Sequence, residues 1–465
     1  MDKYKIVIIG AGSAGYVGAI RAAQLGVSVC LVESAELGGV CLNWGCIPTK
    51  TILTSAKLYS RWRKSASLGV DTHGEPRFDL NRIRERRDRV IRTQRNGIEN
   101  LLRSRGVSLI RGRGKLVDPE TVRVTGPEGE KAIVAEKIIL ATGSRPRPLP
   151  NIPFDGDVVL SSDHAVELRD VPEKLLIVGS GSIGAEFAFI YASFGSRVTV
   201  VEMLDRALPL EDCEVSSVIE REMKKRGIEF IPGMRVETLL RTGQGATVIL
   251  DGGAELHVSK VLLSIGRSYN TESLNLSAAG VSIREDSSIQ VNGKLETTRR
   301  NMYAAGDCIG GRLLAHVASR EAVVAVENCL GTPRPVNYSV IPSCTFTAPE
   351  VASVGMTEDE ARESGKDIRV GRFDLRALGK AHADDEIEGF VKIVVESGTD
   401  RILGAHIVGH EASCLIHEIA VAMRAGVPVR DLGEMVHAHP TLSEAVMEAA
   451  ADAGGSAIHK PRSQD

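Results

Sequence analysis

One stretch of this chain occurs twice, and that repetition narrows the fold more than any other feature. Residues 6–33 read IVIIGAGSAGYVGAIRAAQLGVSVCLVE, and residues 175–202 read LLIVGSGSIGAEFAFIYASFGSRVTVVE. A single offset of 169 superposes Gly10, Gly12, Gly15, Gly26 and Glu33 on Gly179, Gly181, Gly184, Gly195 and Glu202. Each copy runs from an apolar strand through a glycine-rich turn into a helix. A further glycine then leads into a β-branched strand that ends in Glu. That order is a βαβ unit with the dinucleotide fingerprint. The first glycine permits the tight turn, the second lets a pyrophosphate approach the backbone, and the third lets helix and strand pack closely. The helix N-terminus adds positive potential. One G-x-G-x-x-G is weak evidence, because glycine turns are common. Two in the same strand–helix context, each followed by an acid 18 residues after the third glycine, are not accidental. The terminal glutamates suit a ribose 2′-hydroxyl and repel a 2′-phosphate. Two dinucleotide sites on one chain imply an electron relay between two cofactors.

The 465 residues suggest roughly three domains. A formal charge of −3 gives no basic footprint for nucleic acid. No apolar run approaches the roughly 20 residues of a membrane span. The opening MDKYKIVIIG enters a strand at once, leaving no room for a leader, and a cytoplasmic protein is expected. Proline-rich residues 145–153 (RPRPLPNIP) and residues 334–349 (RPVNYSVIPSCTFTAP) read as crossings between units. Strands are expected at Phe390–Val395 and Ile402–Val408, and helices at Ala412–Ala425 and Leu442–Ala451, an α+β pattern. Arg77–Arg105 carries ten arginines and four acids, with Ile83, Val90, Ile91, Ile98, Leu101 and Leu102 near helical spacing. It reads as an amphipathic helix with a solvated charged face.

The chemistry sits in residues 38–50, GGVCLNWGCIPTK. Eight cysteines in 465 residues make no secreted disulfide framework, so a close pair is catalytic or metal-binding. Zinc sites favour tighter spacings and a second ligand pair, which is not evident, and no metal is expected. Five helical steps advance about 7.5 Å, beyond comfortable disulfide reach. Cys41 and Cys46 are therefore two unpaired thiols, or a reducible bond at an irregular first turn that Gly45 permits. Pro48 is tolerated in such a turn. The position just beyond Glu33, beside a nucleotide site, favours redox chemistry.

This motif closely resembles the active-site segment of the pyridine nucleotide–disulfide oxidoreductases. The tail VHAHPTLSEAV (436–446) resembles the dihydrolipoamide dehydrogenase branch in particular. The segments ATGSRP (141–146), IGR (265–267), AAGDCIGGRLLAH (304–316) and EGFVKIV…RILGAHIVG (388–409) extend the likeness over nearly the whole chain. The resemblance implies an α/β fold of two Rossmann-like dinucleotide-binding domains, for FAD and NAD, and a C-terminal α+β dimerisation domain. The corresponding units are 1–147 (FAD and redox disulfide), 148–268 (NAD), 269–338 (completing the FAD site) and 339–465 (dimer interface).

Carried over residue by residue, Cys41 is the thiol that exchanges with substrate and Cys46 the one that lies against the flavin. Lys50 lies near the flavin, with Glu186 as its acidic partner. The FAD set is Gly10, Gly12, Gly15, Glu33, Gly39, Lys50, Gly114, Thr142, Gly143, Ser144, Asp307, Leu314, Ala315 and His316. The NAD set is Gly179, Gly181, Gly184, Glu186, Glu202, Val236 and Gly266. His439 resembles the catalytic base and Glu444 its orienting partner, reaching the site from the other subunit of a homodimer. The H-P-x-x-x-E match selects His439, and His437 reads as structural. The implied reaction oxidises a dihydrolipoamide-type dithiol on a lipoyl-carrying protein and reduces NAD⁺.

A glutathione-type reductase would want cations after the second βαβ unit, where the chain has Glu202–Met203–Leu204–Asp205 and only Arg206 nearby. A mercuric reductase would carry a C-terminal cysteine pair, and residues 416–465 hold none. A non-enzymatic redox sensor would need no base. Val40 stands where the family more often has Thr, and Trp44 fills a variable position. Cys30, Cys213, Cys308, Cys329, Cys344 and Cys414 read as ordinary thiols.

Overall fold

The computed structural model describes residues 2–71 and 74–461. Met1 and residues 462–465, the ends of the expected first and last units, lie outside the described residues. Among the described residues, the first apolar repeat forms the centre of a seven-stranded sheet. Strand Asp2–Ile9 pairs in parallel with Val29–Glu33 on one side and Gly129–Leu140 on the other. Strand Met302–Ala304, some 160 residues downstream, joins the same sheet beside Gly129–Leu140. The 269–338 segment thus returns to the first unit.

The second repeat rebuilds this arrangement. Lys174–Val178 pairs with Arg197–Val201 and Lys260–Leu263 in a five-stranded parallel sheet. The register keeps the offset of the sequence: Ile6 faces Val29 as Leu175 faces Val198. Strands buried on both faces read as continuous Val, Ile and Leu runs, as both copies do. The third glycine of each turn is forced by contact. A Cβ on Gly15 would lie 1.7 Å from the Gly10 carbonyl oxygen, and one on Gly184 1.9 Å from that of Gly179.

The proline-rich crossing is met by its return. Ser144–Pro146 pairs antiparallel with Arg267–Tyr269, so both passages between the units run side by side. The last unit is a five-stranded antiparallel sheet containing Phe390–Glu396 and Arg401–Gly409. It carries helices Ala412–Ala425 and Glu444–Ala453.

The arginine-rich helix runs Leu80–Ser104, capped by the Asp79 carboxylate, which accepts the Asn81 and Arg82 amides at 2.8 and 3.2 Å. Ile83, Ile91 and Leu102 are buried, whereas Leu101 is exposed. Its charged face is not wholly solvated. Arg86 donates to the Thr51 carbonyl at 2.8 Å, and Arg87 donates to the Val166 carbonyl. Arg95 donates to Asn43 Oδ1 at 2.6 Å. These three tie the helix to the cysteine segment and to the second unit.

The second unit and the last, which is the third because 269–338 rejoins the first, are joined by a buried ion cluster. Lys392 and Asp212, each 1% exposed, lie 3.0 Å apart. Glu214 and Glu358 approach the same ammonium at 2.7 and 2.8 Å. Burial works against the Lys392 charge, but Glu214, Glu358 and Asp212 outweigh it and hold its pKa above the ordinary value. Lys392→Met would leave the buried Asp212 carboxylate without its counter-charge, while Glu214 and Glu358 keep Arg372 and Arg362. It is expected to cost about 3–5 kcal/mol, read as a lowered Tm of the holoprotein. Adding Asp212→Leu should recover part of that loss, and an unchanged Tm in the single variant would contradict the account.

Candidate active site

Both glycine turns end in helices with uncapped starts. Helices Ser13–Gln24 and Ser182–Ser193 begin after Gly12 and Gly181, with no side-chain cap and no acidic residue in the first turn. Their first amides remain free for an anion. The glutamates at the strand ends repeat each other's bonds. Glu33 accepts the Ala11 and Ala35 amides at 2.6 and 2.7 Å. Glu202 accepts the Ser180 and Leu204 amides at 2.7 and 3.0 Å. A carboxylate held beside free helix amides fits a dinucleotide ribose next to its pyrophosphate, so both turns suit the expected groups.

A cavity of about 430 Å³ opens beside the first turn, lined by Glu33, Glu36, Gly112, Arg113 and Gly126 among others. Gly114, expected there, instead faces Ile9 and Val32, which a Cβ would meet at 3.0 and 3.3 Å. Thr142, Gly143 and Ser144 gather at the crossing. The Thr142 hydroxyl donates to the Asn270 carbonyl at 2.7 Å, and the Asn270 amide donates to the Gly143 carbonyl at 3.0 Å. The Ser144 hydroxyl donates to Asp307, and Arg267 donates to Ser144 Oγ at 2.6 Å. Leu314 precedes helix Ala315–Cys329, with Ala315 and His316 in its first turn. His316 Nε2 lies 2.9 Å from the Pro342 carbonyl. On the second unit, Gly266 faces open space, and Val236 pairs with Leu250.

The cysteine segment folds as two helices, Gly39–Asn43 and Cys46–Trp62, broken at Trp44–Gly45. The break removes the five-step helical separation that would hold the thiols apart. Gly39 lies against the first glycine turn, where a Cβ would come within 2.6 Å of the Gly12 Cα. Both cysteines are free, and their side chains lie side by side with Cys41 placed to donate to Cys46. That bond from Cys41 is the main reason Cys46 falls below the ordinary thiol pKa; burial opposes it, and the Lys50 ammonium supports it. Donating the bond, together with burial, pushes the Cys41 thiol up. Cys46 is therefore the thiolate of the pair and Cys41 the thiol. By contrast, burial drives Cys30, Cys308 and Cys329 up to about 12. They are inert as nucleophiles.

One helical turn beyond Cys46, Lys50 Nζ meets both Glu186 oxygens at 2.8 Å. Glu186 lies in the second turn of the second dinucleotide helix and is 3% exposed. It also accepts the Phe346 amide at 3.0 Å, and the Phe346 ring stacks under the Lys50 ammonium. The structure thereby joins the thiol pair to the second glycine turn.

His439 lies elsewhere. Its Nδ1 is 2.9 Å from Glu444 Oε1, while Glu444 Oε2 accepts the Thr441 amide at 2.8 Å. Burial works against the Glu444 charge, but the Thr441 amide and His439 hold its pKa below the usual carboxylate range. The His439 side chain is 78% exposed, and no hydrogen bond joins it to either cysteine among the described residues. His437 differs, since its Nδ1 faces the Met435 carbonyl and its Nε2 faces Glu418. Only His439 keeps a ring nitrogen open.

Sequence reasoning passed over Asn270, Glu418 and Glu321, whose buried carboxylate accepts the Gly306 amide at 2.7 Å. Each acts through a partner more than a dozen residues away, and no local pattern marks it.

The family model described as pyridine nucleotide-disulphide oxidoreductase matches residues 4–322, and its dimerisation domain matches residues 341–450. Dihydrolipoyl dehydrogenase of Bacillus subtilis is 40% identical, covering 98% of this chain and 99% of that protein. The protein of that name from Chlorobaculum tepidum is 41% identical, with 97% of each chain covered. Among solved structures, LpdA of Mycobacterium tuberculosis superposes with a TM-score of 0.90 at 31% identity, over 97% of this chain and 99% of that one. The HOCl-induced flavoprotein disulfide reductase RclA of Escherichia coli, as its Cu(II) complex, gives 0.88 at 30% identity, over 97% and 99%.

Reduced protein should show a thiolate absorbance titrating below the ordinary value of about 8.5 and absent from Cys46→Ala. Cys41→Ala should raise that midpoint more than Lys50→Met does, because the Cys41 bond is the larger influence. The reverse order would contradict the pairing described.

Proposed function

We propose a function from the premise that this chain belongs to the pyridine nucleotide-disulphide oxidoreductase family: it oxidises a protein-bound dithiol of the dihydrolipoamide class and passes the electrons to NAD⁺. The observation that carries the reading is the hydrogen-bonded Cys41–Cys46 pair, lying between the first glycine turn and the Lys50–Glu186 link to the second. Full-length likeness to two bacterial dihydrolipoyl dehydrogenases supports the choice of substrate.

FAD is assigned to the first turn. Gly10, Gly12, Gly15 and Glu33 hold its nucleotide end, with Gly39 against that turn and Gly114 behind the cavity. Thr142, Gly143, Ser144, Asp307, Leu314, Ala315 and His316 hold the rest. NAD is assigned to Gly179, Gly181, Gly184, Glu186, Glu202, Val236 and Gly266. Units 1–147 and 269–338 then serve FAD, 148–268 serves NAD, and 339–465 forms the dimer. Bound there, the two cofactors supply the two-electron and hydride chemistry that returns the thiol pair to its disulfide.

The chain's own residues handle sulfur and protons. In the oxidised state Cys41 and Cys46 share a disulfide. His439 of the partner subunit, held through Nδ1 by Glu444, takes a proton on Nε2 from a substrate thiol. The substrate thiolate attacks Cys41 Sγ, the Cys41–Cys46 bond breaks, and Cys46 leaves as thiolate. The second substrate thiol loses its proton and attacks the mixed disulfide. A cyclic disulfide departs, and Cys41 takes a proton. The substrate has lost two electrons, and the Cys41–Cys46 pair has gained them. The outcome is Cys41 as the thiol and Cys46 as the thiolate, the protonation pattern that their contact and the Lys50 ammonium favour. A base need not persist beside the stabilised thiolate, which suits an exposed His439 supplied from another subunit.

Glu202 disfavours a 2′-phosphate, so NADPH-dependent disulfide reduction is the weaker alternative. No helix among the described residues is long and apolar enough to cross a membrane. Six further thiols kept apart from the redox pair suit a reducing compartment, and we place the protein in the cytoplasm, acting on a lipoyl-carrying protein.

Steady-state turnover of dihydrolipoamide with NAD⁺ should exceed that of glutathione disulfide with NADPH; the opposite preference would overturn the reading. His439→Ala should lower dithiol turnover by about 10²–10⁴-fold while sparing electron transfer from NADH to a dye. Equal loss of both would reject His439 as the base.

A further inference from the structure

The segment that carries His439 has almost nothing to hold it. Met435 is 52% and Val436 95% exposed, and the His439 side chain is 78% exposed. Within 435–439 only the His437 side chain turns inward, at 7% exposure. Its Nδ1 lies 2.9 Å from the Met435 carbonyl oxygen, and its Nε2 lies 2.6 Å from Glu418 Oε1. A carbonyl and a carboxylate can only accept, so the ring meets both by donating from both nitrogens. No lone pair is left to take a substrate proton. The charged groups facing it are Glu418, from helix Ala412–Ala425, and Glu444, whose charge it helps to stabilise from across the segment.

Glu418 belongs to a helix that sinks Leu415, Ile416 and Ile419 into the core of the third unit. At the far end the segment is fixed again: Thr441 donates its amide to Glu444 and its hydroxyl to the Ala438 carbonyl. His439 thus hangs between two anchors. Glu444 orients the ring but does not set where the backbone before it lies.

We propose that His437 is a positioning residue for the base: its two-sided bond to Met435 and Glu418 clamps the 435–441 segment to helix Ala412–Ala425, so that His439 Nε2 is presented open and in register. This rests on the reading of His439 as the base of a dithiol oxidation. The charge-assisted Glu418 contact replaces the apolar burial the segment lacks.

The test compares wild type, His437→Asn and Glu418→Gln as holoenzymes. It follows dihydrolipoamide oxidation by NAD⁺, NADH-to-dye transfer, and hydrogen exchange of the 435–441 amides. In His437→Asn the dithiol kcat should fall about tenfold or more, with the dye rate within about twofold of wild type. Exchange should rise in 435–441 but not in 444–453. Glu418→Gln keeps an acceptor oxygen for Nε2–H but loses the charge, so its dithiol rate and exchange should fall between those of wild type and His437→Asn, and values at or beyond those of His437→Asn would overturn the clamp. Wild-type kcat and exchange in His437→Asn would overturn the clamp, as would parallel loss of dithiol and dye activities. Absence of dihydrolipoamide turnover in wild type would instead refute the functional reading. Hydrogen exchange would then decide the clamp alone, and unchanged exchange in 435–441 would overturn it.

Discussion

Lys50 and Glu186 meet at 2.8 Å, and the geometry of the molecule is organised about that contact. The helix bearing Lys50 starts at Cys46, and the helix bearing Glu186 starts beside Gly181. The ion pair locks a thiol and a dinucleotide-binding helix terminus, from units more than a hundred residues apart, into one frame. Glu186 is almost wholly buried, and its desolvation is offset by three donors: the ammonium twice and the Phe346 amide once. Losing Lys50 would leave a buried carboxylate short of its counter-charge, so the frame resists small displacements. Phe346 comes from the third unit, which brings all three units to the same point.

Around this frame the chain places two copies of one device. Each copy puts a carboxylate on the amides flanking a glycine turn and leaves the helix start uncapped, giving a hydroxyl-binding group beside an anion-binding one. The duplicated bonds of Glu33 and Glu202 show that the repetition extends from sequence to hydrogen bonding. The cysteine segment packs directly against the first turn through Gly39 and reaches the second helix through the Lys50–Glu186 pair. Cys46, one helical turn from Lys50, is the sulfur favoured as thiolate, and Cys41 is favoured as its thiol partner.

Much of this was legible because the informative residues are local. The glycine turns, the terminal glutamates, the Cys41–Cys46 spacing and His439–Glu444 each fall within a short window. The helix expected at Ala412–Ala425 ends where the sequence places it. Other features depend on distant partners and left no such mark. The arginine-rich helix reads as solvated, yet Arg86, Arg87 and Arg95 point inward to carbonyl and amide oxygens from other segments. Nothing near Lys392 foretells its three carboxylates, which come from two units. His437 and His439 are nearly indistinguishable in sequence; their difference lies in what faces each nitrogen. Gly114 packs against Ile9 and Val32, side chains from two other strands, while its neighbours Gly112 and Arg113 line the cavity.

The central claim is that Cys41 and Cys46 exchange a bond for two electrons while the remaining thiols do not. Holoenzyme can be quenched under denaturing conditions before and after treatment with dihydrolipoamide, and its alkylated cysteines counted by mass spectrometry. The expected result is a gain of label at Cys41 and Cys46 alone, with Cys30, Cys213, Cys308, Cys329, Cys344 and Cys414 labelled equally in both samples. Equal labelling of Cys41 and Cys46 in both samples, or a gain at any other cysteine, would contradict the account.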